Sequence, residues 1–258
     1  MDQDDRDAFD KALRRARTAA YGAGEFVGQE NFMRAGEILA VANCARITST
    51  TSVLDLCCGV AGPGRLIAGS TGCEYLGVDS SAAAIRIARD RARGLNCAFA
   101  VGRVPPLPAG VYDIVLLLET MLAFREKQRL LESVAGALEV GGRFAFTLES
   151  GEPLTAAERS CMPDADTVWL TPLPEILAGL DELGLRPKSV VDHSAAQQAT
   201  VEALLAAYTA DGDAIAGSVG REALEDLLGA HRLWSDWLRR GRVRKFAVVA
   251  EKVGPGAV

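Results

Sequence analysis

Hydrophobic positions along this chain follow two rhythms, one with the period of a helix and one of short continuous runs. Ala8, Phe9, Ala12, Leu13, Ala16 and Ala20 recur at helical spacing behind charged neighbours, which predicts an amphipathic helix over residues 4–20. The stretch "YGAGEFVGQENF" interrupts the period, and Phe32, Ala35, Ile38, Leu39 and Ala42 restore it up to the loop "ITSTTS". From Val53 onward the runs predict strands at residues 53–57, 74–79, 97–101, 112–119, 143–149, 188–193 and 245–252. Between the earlier strands, helices are predicted at residues 62–68, 82–93 and 125–139.

Strands that alternate with helices build a parallel sheet covered on both faces, so the expected class is α/β with a doubly wound sheet. The last third is less regular, with helical patterns at residues 172–183, 197–210 and 221–239. No internal repeat or low-complexity segment occurs, and "GPGAV" at the end reads as a loose tail. A length of 258 residues suits one substantial core, and a single domain over residues 1–258 is expected.

Composition narrows the partners. Apolar residues make up 49% and charged residues 24%, with a net charge of -6, so a long-range field that gathers polyanions is absent and nucleic acid is disfavoured. The basic run "RRGRVRK" over residues 239–245 reads as a solvated turn before a strand. No apolar segment approaches the roughly 20 residues of a bilayer span, and "MDQDDRDAFD" is too acidic for a targeting leader, so a cytoplasmic protein without membrane contact is expected. Cys44, Cys57, Cys58, Cys73, Cys97 and Cys161 lack zinc-type pairing and read mostly as small core residues.

The chemistry concentrates in "VLDLCCGVAGPGRLIAG", residues 53–69. A strand that turns tightly into a helix leaves unpaired amides at the sheet's carboxyl edge, and Gly59, Gly62 and Gly64 remove side chains there. A plain tight turn is the bland alternative; four glycines within residues 59–69 exceed what a connection needs. Asp55, two residues before the loop, would repel a pyrophosphate and attract an ammonium or sulfonium group. Asp79 closes the next strand 24 positions later, where doubly wound folds place a carboxylate on ribose hydroxyls.

Together with "YLGVDSS", "YDIVLLLETM" and "LEVGGRFAFTLE", this loop resembles the motifs of class I S-adenosylmethionine-dependent methyltransferases, over about residues 53–149. The resemblance implies a Rossmann-like sheet of seven strands, mostly parallel with the last antiparallel. It implies S-adenosylmethionine as cofactor, its methionine end held by Asp55 and by the backbone of Cys57, Cys58 and Gly59. Asp79 would take the ribose hydroxyls, Ser80 would flank the adenine, backbone amides of Arg103 and Val104 would touch the ring, and Glu119 would lie near the transferred methyl. Residues 1–46 would form a helical lid, with Tyr21, Phe26 and Phe32 as covering aromatics; for Phe32, packing within a helix is the preferred reading. Three features depart from the family pattern: Cys57 and Ala61 stand at the first and third glycine positions, and Arg103 stands where many relatives carry an acid. Arginine cannot accept a hydrogen bond from an adenine amine.

Methyl transfer asks a protein to align a nucleophile, exclude water and accept a proton; no metal is required. His193, at a predicted strand end, is the candidate base, or an ordinary turn residue. Glu149 would bind a substrate amine or hydroxyl, or be a solvated acid. His231 reads as structural, and Cys161, Met162 and Trp169 as pocket lining or packing. Residues 194–242 form an insertion before the last strand that would cap the acceptor with Tyr208 facing in, or meet a second copy in a homodimer. The expected function is methylation of oxygen or nitrogen on a small-molecule acceptor of secondary metabolism. A non-methylating, cofactor-bound cyclase or ligand-sensing module is the alternative. A nicotinamide oxidoreductase ranks lower, because Asp55 opposes a diphosphate and "GVAGPG" departs from Gly-x-Gly-x-x-Gly.

Overall fold

The computed structural model describes residues 3–30, 32–162 and 165–254, with side chains from residue 11 onward other than residue 12. The side chains of Ala8, Phe9 and Ala12, and the tail beyond residue 254, therefore lie outside the described residues. In chain order the elements that matter here are α1 (Gln3–Tyr21), α2 (Ala35–Cys44), β1 (Ser52–Leu56), α3 (Gly62–Thr71), β2 (Glu74–Asp79), α4 (Ala82–Arg91), β3 (Cys97–Val101) and β4 (Tyr112–Leu117). There follow α5 (Lys127–Ala137), β5 (Leu138–Ser150), α6 (Ala156–Ser160), α7 (Leu173–Glu182), β6 (Leu185–Asp192), α8 (Ser194–Ala210), α9 (Gly212–Val219), α10 (Arg221–Arg239) and β7 (Arg244–Lys252).

The strands form one seven-stranded sheet in the order β3-β2-β1-β4-β5-β7-β6. β1 pairs in parallel with β2 and β4, while β7 runs antiparallel to both β5 and β6. This is the arrangement that the resemblance implies, and the doubly wound sheet is the one that the sequence pattern predicts. Alternation along β1 sends Val53 to a core layer with Ile38, Ile67 and Ile85, and sends Leu54 and Leu56 to an opposite layer with Leu130, Val134 and Leu180. Both faces of the middle strands are buried, which is why they read as continuous apolar runs rather than alternating ones.

β5 begins five residues before its predicted start at 143, because Leu138 pairs with Tyr112 and the strand bends through a register shift before Arg143 pairs with Ile114. Gly141, at φ +85°, supplies the bend. α6 and α9 lie outside the predicted helices. With 5 and 8 residues respectively, they show too few turns to establish a helical period.

The insertion packs against α1 within the same chain. Leu13, Ala16 and Tyr21 of α1 pack with Leu204 and Tyr208 of α8, Ile215 of α9 and Leu224 of α10. The chain entering α2 and the chain leaving β6 are thereby brought to one end of the sheet, above the loop that follows β1.

Candidate active site

The loop after β1 is built from left-handed backbone. Cys57, Gly59 and Ala61 have φ of +58°, +54° and +57°. Glycine adopts this conformation freely, whereas Cys57 and Ala61 do so against a steric cost of roughly 1–2 kcal/mol each. The loop is held in place by its neighbours: the Cys58 amide donates to the Val78 carbonyl at 3.1 Å and the Ala61 amide to the Cys58 carbonyl at 2.9 Å. Asp79 ties the two strand ends together, accepting from the Gly59 amide at 2.9 Å on one oxygen and from the Ser81 amide at 2.8 Å on the other. Each oxygen keeps one acceptor direction free.

Two glycines of the loop make room for specific neighbours. A Cβ on Gly62 would stand 2.7 Å from the backbone of Gly28 and Gln29, so the segment between α1 and α2 rests directly on the start of α3. A Cβ on Gly64 would stand 2.0 Å from the Tyr75 hydroxyl, which donates to Asp55 Oδ2 at 2.5 Å. Gln29 braces the covering segment, its side-chain amide donating to the carbonyls of Glu25 and Met33 and its oxygen accepting from the Val27 amide.

Asp55, Cys57, Gly59, Leu118, Glu119 and Glu30 line a cavity of about 130 Å³. Burial pushes the Asp55 carboxyl up to about 7, with Tyr75 pulling it down and Asp79 pushing it further up. Burial likewise pushes the Cys57 thiol up to about 12, assisted by the charges of Asp79 and Asp55, and raises Cys58. Neither is a thiolate nucleophile, as expected of compact filler. Ser80 and Arg103 are exposed at the rim and Val104 is half-buried. The Gly102 amide donates to the Asp79 carbonyl at 2.9 Å, which sets residues 102–104 beside the end of β2.

Glu119, left-handed at φ +62°, lines both this cavity and a second one. Its amide donates to Thr147 Oγ1 at 2.6 Å, and its Oε2 accepts from the Phe32 amide at 3.1 Å. Its Oε1 pairs with Lys245, which also meets Glu149 Oε1 at 2.5 Å. The second cavity, a small one of about 10 Å³, is lined by Phe32, Glu37, Glu119, His193, Gln197 and Lys245. His193 Nδ1 lies 2.9 Å from Glu37 Oε1, and the His193 amide donates to the Lys245 carbonyl at 2.8 Å.

Charge in this region is buried and compensated. Burial opposes the Lys245 ammonium, yet the carboxylates of Glu119 and Glu149 outweigh it and raise its pKa. Burial also raises the Glu149 carboxyl, against the pull of Lys245 and with the push of Glu119. Glu149 Oε2 and both polar atoms of the Gln197 amide are buried with no hydrogen-bond partner among the described residues. Tyr21 is buried with its ring 5.5 Å from that of Phe26, and its hydroxyl pKa is raised by burial and then by the charge of Glu119.

The structure thus brings Asp55, Cys57, Gly59 and Glu119 to one cavity and Glu119 and His193 to the next. Glu149 stands behind Lys245 rather than in solvent. Ser80, Arg103 and Val104 line neither cavity. Phe32 precedes α2 rather than packing within it; its ring meets the edge of His231 at 5.7 Å, and His231 is wedged between Phe32 and Tyr208 with burial lowering its pKa. Tyr208 faces α1, accepting from Arg17 Nε at 3.1 Å. Trp169 stacks under Arg125 and Arg159, and Met162 packs in the cluster of Trp234 and Trp237, so both serve packing.

Four site residues carried no usable signal in the chain: Glu37, Thr147, Gln197 and Lys245. Only Lys245 had a hint, as a lysine entering a strand pattern. The run at residues 239–245 is not a uniformly solvated turn: Arg242 pairs with Glu158, Arg244 with Asp192, and Lys245 is 3% exposed. Among the described residues no cluster of His, Cys, Asp or Glu is placed to hold a metal.

Residues 53–142 match the methyltransferase domain family. That segment is a methyltransferase domain, consistent with a class I S-adenosylmethionine-dependent enzyme. No curated protein sequence matches it, but solved structures share its fold at low identity. The cyclopropane synthase MmaA2 from Mycobacterium tuberculosis superposes with a TM-score of 0.80 at 12% identity, over 95% of this chain and 94% of that one. Phosphoethanolamine N-methyltransferase 2 of Haemonchus contortus, in complex with S-adenosylmethionine, gives 0.78 at 16% identity, over 95% of this chain and 57% of that one. The [4+2]-cyclase SpnF gives 0.69 at 19% identity, over 90% and 86%.

The donor set around the first cavity fits S-adenosylmethionine. The cavity is lined by Asp55, Glu30 and Glu119 with no lysine or arginine among its described walls, and Asp79 retains acceptor capacity beside Gly59. Such walls favour a cation over a diphosphate. No helix among the described residues is long and apolar enough to cross a membrane.

Proposed function

We propose that this methyltransferase methylates an oxygen or nitrogen of a small secondary metabolite in the cytoplasm, and that the second cavity receives the reacting end of that acceptor. The observation that carries this reading is Glu119, which lines both the cofactor cavity and the small cavity of His193. When bound, S-adenosylmethionine supplies a sulfonium-bound methyl whose departure leaves a neutral thioether.

The protein's own residues do the rest. Asp55 and the backbone of Cys57, Cys58 and Gly59 hold the methionine end, and Asp79 accepts the ribose hydroxyls. Ser80, Arg103 and Val104 bound the adenine at the rim. Glu37 fixes the His193 imidazole through Nδ1, which leaves Nε2 to accept the acceptor's proton. Glu149 and Lys245 position Glu119 from beneath. The segment between α1 and α2, with Tyr21 and Phe26 behind it, excludes water as a lid, and α8 to α10 cap the acceptor.

The test is incubation of the full chain with methyl-labelled S-adenosylmethionine and a panel of small amines, phenols and hydroxy acids, with S-adenosylhomocysteine as readout. Product with at least one acceptor is expected. His193→Gln should lower turnover of that acceptor by roughly 10²–10⁴-fold while leaving S-adenosylhomocysteine affinity within about twofold. A protein that binds the cofactor tightly yet turns over no member of a broad panel would overturn methyl transfer in favour of cyclisation or sensing.

A further inference from the structure

A cavity larger than the cofactor crevice, about 520 Å³, lies on the other side of the segment at residues 26–30 and shares Val60 and Glu30 with the crevice. Four arginines from three elements converge on it: Arg14 and Arg17 from α1, Arg65 from α3 and Arg91 from the end of α4. Glu30 is the one carboxylate among its described walls.

The cavity-facing arginines differ from their neighbours. Arg15, next along α1, pairs with Asp211; on α4, Arg93 pairs with Asp90 and Arg89 donates to the Phe99 carbonyl at 2.7 Å. Among the described residues no hydrogen-bond or ion-pair partner reaches the side chains of Arg14, Arg65 or Arg91. Arg17 donates to the Tyr208 hydroxyl and is thereby held in place. Burial first, and then the charges of Arg91 and Arg14, lower the Arg65 pKa. Arg91, though exposed, reaches toward the covering segment, its Nη1 3.8 Å from where a Cβ on Gly28 would be.

Converging guanidiniums repel one another until an anion comes between them. A single carboxylate satisfies one such group, whereas the oxygens of a phosphate or diphosphate engage several planar forks at once. We propose that this cavity is a binding site for a phosphate or diphosphate group, with Arg14, Arg65 and Arg91 as its direct contacts and Arg17 beside them. The site is local: it collects an oxyanion on a chain whose net charge is -6. It does not depend on which atom of the acceptor is methylated.

Calorimetric titration of the full chain, saturated with S-adenosylhomocysteine, with inorganic pyrophosphate tests this. Saturable binding is expected, weakened at least tenfold in Arg65→Gln/Arg91→Gln, with S-adenosylhomocysteine affinity and the thermal midpoint of that variant unchanged. Arg129→Gln, on the exposed face of α5, should bind pyrophosphate like the parent. Absence of saturable binding, or weakening by Arg129→Gln equal to that by the double variant, overturns the assignment. The source of the group follows from competition. An alkyl diphosphate or phenyl phosphate that displaces pyrophosphate identifies the headgroup of an organic ligand, and selectivity for the inorganic anion identifies a free effector; both outcomes uphold the site.

Discussion

The Tyr75 hydroxyl donates to the Asp55 carboxylate at 2.5 Å from the neighbouring parallel strand, and this one bond is the polar partner of an acid that is 4% exposed at the edge of the cofactor cavity. Burial dominates over the bond, so the carboxyl titrates at about 7 instead of the ordinary acid range.

Cofactor affinity should therefore depend on pH. A cation at the cavity binds the ionised form of Asp55, so the Kd for S-adenosylmethionine should fall about tenfold between about pH 6 and about pH 8 and then level off. The sign for stability is opposite. The folded carboxyl holds its proton more tightly than the unfolded one, near 3.9, so without ligand this group lowers stability as pH rises from about 4 to about 7. Tyr75→Phe removes a bond to the charged form and should move the binding midpoint upward. Calorimetric titration across this range checks it; a flat Kd removes Asp55 from contact with the cation.

Gly64 is required by the same pair. An added methyl group would collide with the Tyr75 hydroxyl at 2.0 Å and its ring at 2.2 Å. Gly64→Ala should destabilise the protein by about 1–3 kcal/mol, measured by urea denaturation. In a Tyr75→Ala background the added cost should shrink, because the group it strikes is gone. Additive losses would place the strain elsewhere.

Cys57 gives the loop no thiol chemistry, only backbone shape. Cys57→Gly should fold with equal or greater stability and retain S-adenosylhomocysteine binding within about twofold, since glycine adopts positive φ without strain. Cys57→Val should lose about 1–3 kcal/mol, because a β-branched residue is strained at φ +58°. If the glycine variant lost cofactor while remaining folded, the side chain itself would have to be part of the site.

Lys245 neutralises two buried carboxylates at once. Lys245→Met leaves Glu119 and Glu149 facing each other without a counter-charge and should cost about 3–5 kcal/mol in guanidinium unfolding. Adding Glu149→Gln should recover part of the loss, since one of the two acids is then neutral. A cost under about 1 kcal/mol would mean that these carboxylates are solvated rather than enclosed.

The sheet was legible strand by strand because buried parallel strands write themselves as apolar runs. β2 and β3 match their predicted bounds, and α10 does as well. The cofactor half of the site was legible for a related reason: Asp55, Gly59 and Asp79 lie within one strand-turn-helix unit and the strand beside it, so their spacing along the chain mirrors their spacing in space. The acceptor half was not. Glu37 and His193 are 156 positions apart, and Glu149 and Lys245 meet only through the register of two antiparallel strands separated by 96 positions.

What the sequence determined by itself was therefore the local chemistry: period, turn residues, the acid before the loop and the acid after the next strand. Tertiary structure alone decided which distant charges share a cavity, that a lysine in a basic run ends up sealed between two glutamates, and that four arginines from three helices line one cavity. The reason is physical. Hydrogen-bonded periodicity is a property of neighbouring residues, while the burial and pairing of a charge depend on the packing of elements whose contact leaves no trace in the spacing along the chain.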